Sequence, residues 1–295
     1  MRTLKNLSRD RLAIASLIVI AITIVAGVFA PLFAPHDPAE VNMKLRYASS
    51  SWEYALGNDH LGRCILSRII YGIRPSVLWV LVALILSVFI GAVIGFISGY
   101  FRGKTDAFLM RICDIMLSFP GYVMTLAVVG ILGAGLENIL IAFVVMKWAW
   151  FARVIRTSVM QYAEMNYVKF AKASGIGHWR IMVKHIIPVT FADIAVISSG
   201  SICSMILQIS GLSFLGLGIQ APNAEWGMML NEAREVMFSR PELMLAPGLA
   251  IILIVSAFNF VSDALQVALD PKLTTSNASL QEEEGKQPVY EYIRS

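Results

Sequence analysis

The chain has 295 residues, 57% of them hydrophobic and 15% charged, with a mean hydropathy of +0.68. Soluble domains carry about 25% charged residues, so this chain is too poor in charge to cover a water-facing surface, and too apolar to be disordered. The net charge of +4 does not point to nucleic acid, because Lys and Arg fall between apolar runs, the placement that orients membrane proteins.

Six apolar runs of helix-spanning length occur, at residues 12–33, 77–100, 109–131, 138–153, 191–217 and 244–265. They do not alternate as barrel strands would. The sequence therefore predicts an all-α, polytopic membrane protein with six transmembrane helices. The first run follows Arg2, Lys5, Arg9 and Arg11 and is too long for the apolar stretch of a cleaved signal, so it reads as an uncleaved span. With both termini inside, 16 Lys and Arg fall in cytoplasmic segments and 7 outside. The expected layout is a cytoplasmic N-terminus (1–11), the first span with an extracytoplasmic loop (12–75) and a core of five spans (76–270). A tail (271–295) follows, and its composition predicts disorder.

No catalytic or metal-binding set stands out. Cys64, Cys113 and Cys203 are far apart, and no two of His36, His60, His178 and His185 have the i, i+4 spacing of a helical metal site. The 14 Met are scattered as packing residues would be. Gly99 to Thr105 ends like a phosphate-binding loop, but one residue too few separates its glycines and no strand precedes it; Gly103 reads as a helix stop and Arg102 and Lys104 as anchors. Gly91, Gly95 and Gly99 recur on one helix face, the small-residue spacing of a close helix contact. Arg111 and Asp114, one turn apart, are expected to pair. Lys147, Asp193 and Asp263 are further charges in or near the spans; Lys147 lies within one, and most of the polar residues lie near helix ends, where snorkelling removes much of their cost. Gln208 and Asn259 lie deeper and are candidates for lining a polar pathway.

The segment 154–190 is expected to be a long cytoplasmic loop. Tyr167 to Ser174 suits a short helix stopped by Gly175 and Gly177, with Trp179 to Ile186 a second helix and Pro188 marking the step into the fifth span. Val168, Phe170, Ala171 and Ser174 are expected to share an apolar face that needs a partner.

At these residues the chain resembles the inner-membrane permeases of ABC importers, whose cytoplasmic EAA motif reads roughly EAA-x3-G-x9-I-x-L-P. Lys169, Phe170 and Ala171 occupy the EAA position, Gly175 the glycine, His185 the first Ile, and Ile187-Pro188 the end; the Glu and the first Ala are absent. The stretches Gly57 to Arg68, Asp114 to Pro120, Ser213 to Gly218 and Ala221 to Gly227 are similar to signatures of the peptide/nickel permeases in their "C" branch. Trp148 to Arg156 and Ser174 to His178 lean toward nickel or metal-chelate importers, with di- or oligopeptides the rival substrates.

The resemblance implies a type I permease fold and a coupling contact made by Tyr167, Lys169, Phe170, Ala171, Lys172, Ala173, Ser174, Gly175 and Pro188. It implies a second homologous permease, two ATP-binding subunits that hold ATP and Mg, an extracytoplasmic solute-binding protein and a surrounding bilayer; no cofactor is expected in this chain. An intramembrane enzyme would need converging nucleophile, base or metal ligands, and none is found. A channel or gradient-driven transporter would need buried paired charges and an internal repeat, and neither is clear.

Overall fold

A computed structural model describes residues 10–269. In hydrocarbon each backbone polar group must be paired within its own segment, and the apolar runs accordingly fold as helices. In chain order these are α1 (Arg11–Val28), α2 (Ala30–Phe33), α3 (Ile65–Ile73), α4 (Trp79–Phe101), α5 (Gly103–Leu117), α6 (Gly121–Leu132), α7 (Leu136–Ala163), α8 (Asn166–Ala173), α9 (His178–Ile181), α10 (Ile187–Phe214), α11 (Trp226–Arg234) and α12 (Glu242–Leu269). No strand occurs among the described residues. Among the described residues five helical rods are long and apolar enough to cross a membrane, and α5 with α6 make a sixth if counted as one bent span. The tail expected at 271–295, and residues 1–9 of the expected N-terminal segment, lie outside the described residues.

Several boundaries differ from the sequence reading. The second span does not start near residue 77: α3 runs into α4 through a π-helical turn at Arg74–Leu78, giving one rod over Ile65–Phe101. The third span is broken, with α5 and α6 meeting at 78°. Pro120 causes this, because it pushes the residue before it away from helical geometry. The fourth span is longer, because Arg153 and Arg156 continue α7 instead of ending it. The expected helix Trp179 to Ile186 is not a separate element. Short α9 passes through a second π turn, Met182–Ile186, directly into α10, and Pro188 sits in the first turn of α10. Both wide turns adjoin a proline. A proline has no N–H to donate and its ring crowds the carbonyl four residues back, and a π turn moves that carbonyl aside. The non-helical part of the expected 154–190 loop thus shrinks to the surroundings of α8.

The two 37-residue rods, Ile65–Phe101 and His178–Phe214, are each about 55 Å long at 1.5 Å per residue, against roughly 30 Å of hydrocarbon. Each therefore projects from the bilayer, α3 at one end of the bundle and α9 at the other. Chain reversal between α4 and α5 is made by Arg102 and Gly103, both at positive φ (53° and 61°). Arg74 reaches the C-terminal end of α1, donating from Nε to the Gly27 carbonyl (2.9 Å) and from Nη2 to Val28 (3.1 Å), which satisfies carbonyls that no helix turn can.

The closest packing joins α4 to α7. A Cβ on Gly91 would lie 2.5 Å from the Phe151 Cβ and 2.8 Å from the Trp148 carbonyl oxygen; on Gly95, 2.8 Å from the Ala152 carbonyl oxygen; on Gly99, 2.8 Å from the Arg156 carbonyl oxygen. The three glycines thus lie directly on the α7 backbone. Elsewhere α12 packs against α1 and α10. The outward faces carry exposed Ile18 and Ile22 on α1, Ile85 and Phe89 on α4, and Leu249 and Ile252 on α12, suited to acyl chains. Overpacking a tight contact costs about 1–3 kcal/mol, and more where the obstacle is backbone. Gly95→Leu is therefore expected to lower the melting temperature of the purified, detergent-solubilised protein, with Gly95→Ala intermediate, as read by differential scanning fluorimetry.

Candidate functional site

Two features at different depths carry the polar and exposed groups that a packed bundle does not need. The first is α8 and its turn. Gly175 has φ +76°; its N–H bonds the Lys172 carbonyl (3.1 Å) and the Ile176 N–H bonds Ala171 (3.1 Å). That pair of bonds is a Schellman stop, which needs a residue comfortable in the left-handed region. Val168 and Ala171 are buried against the bundle, whereas Tyr167 and Phe170 point away, and Phe170 is 74% exposed. The expected shared face is thus split: Val168 and Ala171 seat the helix, and Phe170 and Ser174 lie on its exposed side with Trp179 (74% exposed) beyond the turn. Lys169, Lys172, Ala173, Gly175 and Pro188 are also exposed.

Contacts to α4 and its turn hold this segment in place. Glu164 bridges two cations, Arg102 Nη1 at 2.6 Å and Lys169 Nζ at 3.3 Å, and Arg102 also donates to the Met160 carbonyl (3.1 Å). Lys169, at the motif's usual acidic position, is therefore part of an ion cluster with its own chain. The Tyr100 hydroxyl lies 2.9 Å from His178 Nδ1, and Lys172 Nζ lies 5.0 Å from the Tyr100 ring centroid. Tyr100 directly follows Gly99, so the end of the glycine contact touches both sides of the loop. Hydrogen bonds from Arg102 and Lys169 hold the Glu164 carboxyl below the ordinary carboxylate range.

The second feature is a cavity of about 520 Å³ between the α5–α6 elbow, α7, α10 and α12. Its polar lining is Thr125, Lys147, Ser201, Ser204, Gln208, Ser262 and Gln266, and Phe143 and Trp150 are among its apolar walls. Gln208 is thus in the cavity. Asn259 is not: it stands on the exposed face of α12. The sequence reading missed the serines, although Ser201, Ser204 and Gln208 are spaced i, i+3, i+7 and must share a helix face. Lys147, read as lying within a span, is mid-helix in α7. The pairing expected between Arg111 and Asp114 does not form. Asp114 pairs with Arg153, and Asp106 takes both Arg156 Nε and Nη2 at 2.5 Å, so two ion pairs strap α5 to α7.

At the end opposite α8, Asp59, His60 and Glu232 lie close enough to suggest a cation site. The two carboxylates are already engaged. Arg63 meets Asp59 at 2.6 Å and Glu232 at 2.9 Å, and Arg68 meets Glu232 at 2.9 Å, with both guanidiniums buried. This is a cross-link between the 35–75 loop, α3 and α11. Beside it Glu225 caps α11, accepting from the Met228 N–H (2.8 Å) and the Ser76 hydroxyl (3.0 Å), and burial pushes its carboxyl above the usual range. Buried Trp226 donates from its indole to the Ile69 carbonyl (3.0 Å).

Because the Glu164 carboxyl is depressed in the folded state, its contribution to seating α8 is present above the ordinary carboxylate pKa and is lost as pH falls through the lowered folded value. Amide exchange over residues 166–176, corrected for its intrinsic pH dependence, is expected to rise on acidification in the wild type. It should be fast and without that extra pH dependence in Glu164→Gln.

Comparison with known proteins agrees with this architecture. The model of the "binding-protein-dependent transport system inner membrane component" family matches residues 91–275, and that of the "N-terminal TM domain of oligopeptide transport permease C" matches residues 1–49. The metal-staphylopine import system permease protein CntC of Staphylococcus aureus is 55% identical over 277 residues, covering 94% of this chain and 96% of the relative. The nickel transport system permease protein NikC of Escherichia coli is 38% identical over 263 residues (89% and 95%). The dipeptide transport system permease protein DppC of Alkalihalophilus pseudofirmus is 39% identical over 269 residues (91% and 88%). With a helical bundle, an exposed loop motif and matches spanning nearly its whole length, the chain belongs to the peptide/nickel family of ABC-importer permeases and is a transport subunit of the membrane.

Proposed function

We propose that this permease imports a metal chelate. The observation that carries the reading is its 55% identity to a metal-staphylopine permease, against 38% and 39% to nickel and dipeptide permeases. Nickel in another chelate, or a di- or oligopeptide, uses the same machinery. Both termini and α8 face the cytoplasm, in the inner membrane of a bacterium. A solute-binding protein delivers cargo at the opposite end, where α3 and α11 are cross-linked by Arg63 and Arg68. A second, homologous permease closes the open side of the cavity.

Two ATP-binding subunits hold ATP and Mg and carry out the hydrolysis; this chain does no covalent chemistry. One of them receives the exposed side of α8, with Phe170 and Trp179 as anchors, since large aromatics carry much of the energy of such contacts. Closure of the ATPase pair moves α8, and through Tyr100 and His178 the α4–α7 pair, so that access to the cavity changes side. Nucleotide can shift this equilibrium because the docked surface differs between the two states.

The test is uptake in cells lacking the gene and complemented with it. Chelated nickel or another chelated transition metal should accumulate with the gene and not dipeptides; the converse assigns the peptide rival, and uptake persisting with a hydrolysis-dead ATPase removes the ABC reading. Phe170→Asp should leave the protein inserted yet weaken co-purification of the ATPase by about tenfold or more, the cost of losing a hot-spot aromatic. Normal uptake by that variant would remove the docking assignment.

A further inference from the structure

Among the cations on α7, Lys147 is chemically distinct. Arg153 and Arg156 each hold a carboxylate of α5. For Lys147 no carboxylate among the described residues comes within ion-pair distance, and no Asp or Glu lines the cavity it borders. An ammonium in the middle of a membrane helix is costly unless it meets a partner or water, and no acidic neighbour among the described residues relieves it here. The cavity it borders is otherwise lined by neutral hydrogen-bonding groups, Thr125, Ser201, Ser204, Gln208, Ser262 and Gln266, with Phe143 and Trp150 offering apolar walls. The lining thus carries one positive charge and amide and hydroxyl groups, in a volume of about 520 Å³ that suits a small organic ligand. A bare divalent cation would be repelled by such a lining. A small anion with oxygen acceptors would be attracted.

We infer that Lys147 recognises a carboxylate of the solute during its passage, so that the permease itself favours carboxylate-bearing cargo, and metal crosses as an anionic or zwitterionic chelate and not as a free ion. Choosing a metal chelate as the first probe rests on the function proposed above; the assignment of Lys147 does not, since a peptide C-terminus offers the same group. Lys147 with Gln208 and Ser204 would then form a polar strip across facing helices, where a carboxylate can exchange partners as the helices move. Only a side chain that keeps a positive charge can replace it.

The test uses the complete transporter, with both permeases, ATPases and binding protein, in proteoliposomes. Its probe is radiolabelled nickel bound to an aminopolycarboxylate metallophore. Lys147→Met keeps the length and removes the charge; Lys147→Arg keeps the charge. ATP-dependent uptake is expected to fall by about tenfold or more in Lys147→Met, the effect of losing a charge-assisted hydrogen bond, with Lys147→Arg retaining most of the wild-type rate. Uptake by Lys147→Met within about twofold of wild type, well inside the loss expected for such a bond, would overturn the inference. So would an equal loss in Lys147→Arg, or failure of the Lys147→Met complex to co-purify, which would assign Lys147 to the contact with the second permease. If the wild type moves dipeptides and no chelate, the metal reading fails by itself. The comparison is then a dipeptide against its C-terminal amide: a preference for the acid that disappears in Lys147→Met supports the assignment, and an unchanged preference overturns it.

Discussion

Helices in a bilayer gain little by hiding apolar surface from one another, because lipid is as apolar as leucine, so their association depends on how closely the backbones approach. In this permease that approach is concentrated where Gly91, Gly95 and Gly99 rest on α7. Much else is set by it. With Phe151, Ala152 and Ile155 turned toward α4, the opposite side of α7 must carry Phe143, Lys147 and Trp150 toward α10 and α12, where the cavity opens. The same contact brings Arg156 within reach of Asp106 and leaves Tyr100 beside His178. A bulkier residue on α4 would therefore alter the position of the loop as well as the width of one interface.

Charge is used differently at the two ends. At the α3–α11 end, Arg63 and Arg68 are fully enclosed with Asp59 and Glu232. Ion pairs of this kind give little net stability against an apolar replacement, because desolvation offsets the attraction, yet breaking one partner leaves an uncompensated charge. They fix one arrangement of an irregular loop that has few apolar groups of its own. At the α8 end the Glu164 cluster is open to water, where such pairs are weak and screened. One end is thus fastened and the other is held lightly.

Much of the fold was legible because membrane helices write their own length and polarity into the sequence. The six runs, the Gly91–Gly95–Gly99 face and the α8 stop at Gly175 all follow from local rules. What escaped depends on neighbours. Pro188 reads as the step into a span but follows a wide turn within one continuous rod, while Pro120 breaks a run that reads as continuous. Asp114 takes a partner from α7, which no intrahelical spacing rule reveals. Phe170 and Ala171 are adjacent in the motif but fall on opposite sides of a short helix, and its docking onto the bundle decides which is inside. Gln208 faces the cavity and Asn259 does not, although both are amides in apolar spans.

The turn at Met182–Ile186 holds one residue more than an α-helical turn spanning the same rise. Because the wide turn absorbs that residue within one turn, removing it would restore ordinary winding and leave the segments on either side close to their present angular relation. The wide turn is consequently the place in this rod where a one-residue change of length disturbs the aim of α9 and the loop before it least, whereas the same change in the regular winding of α10 would turn them by about 100°.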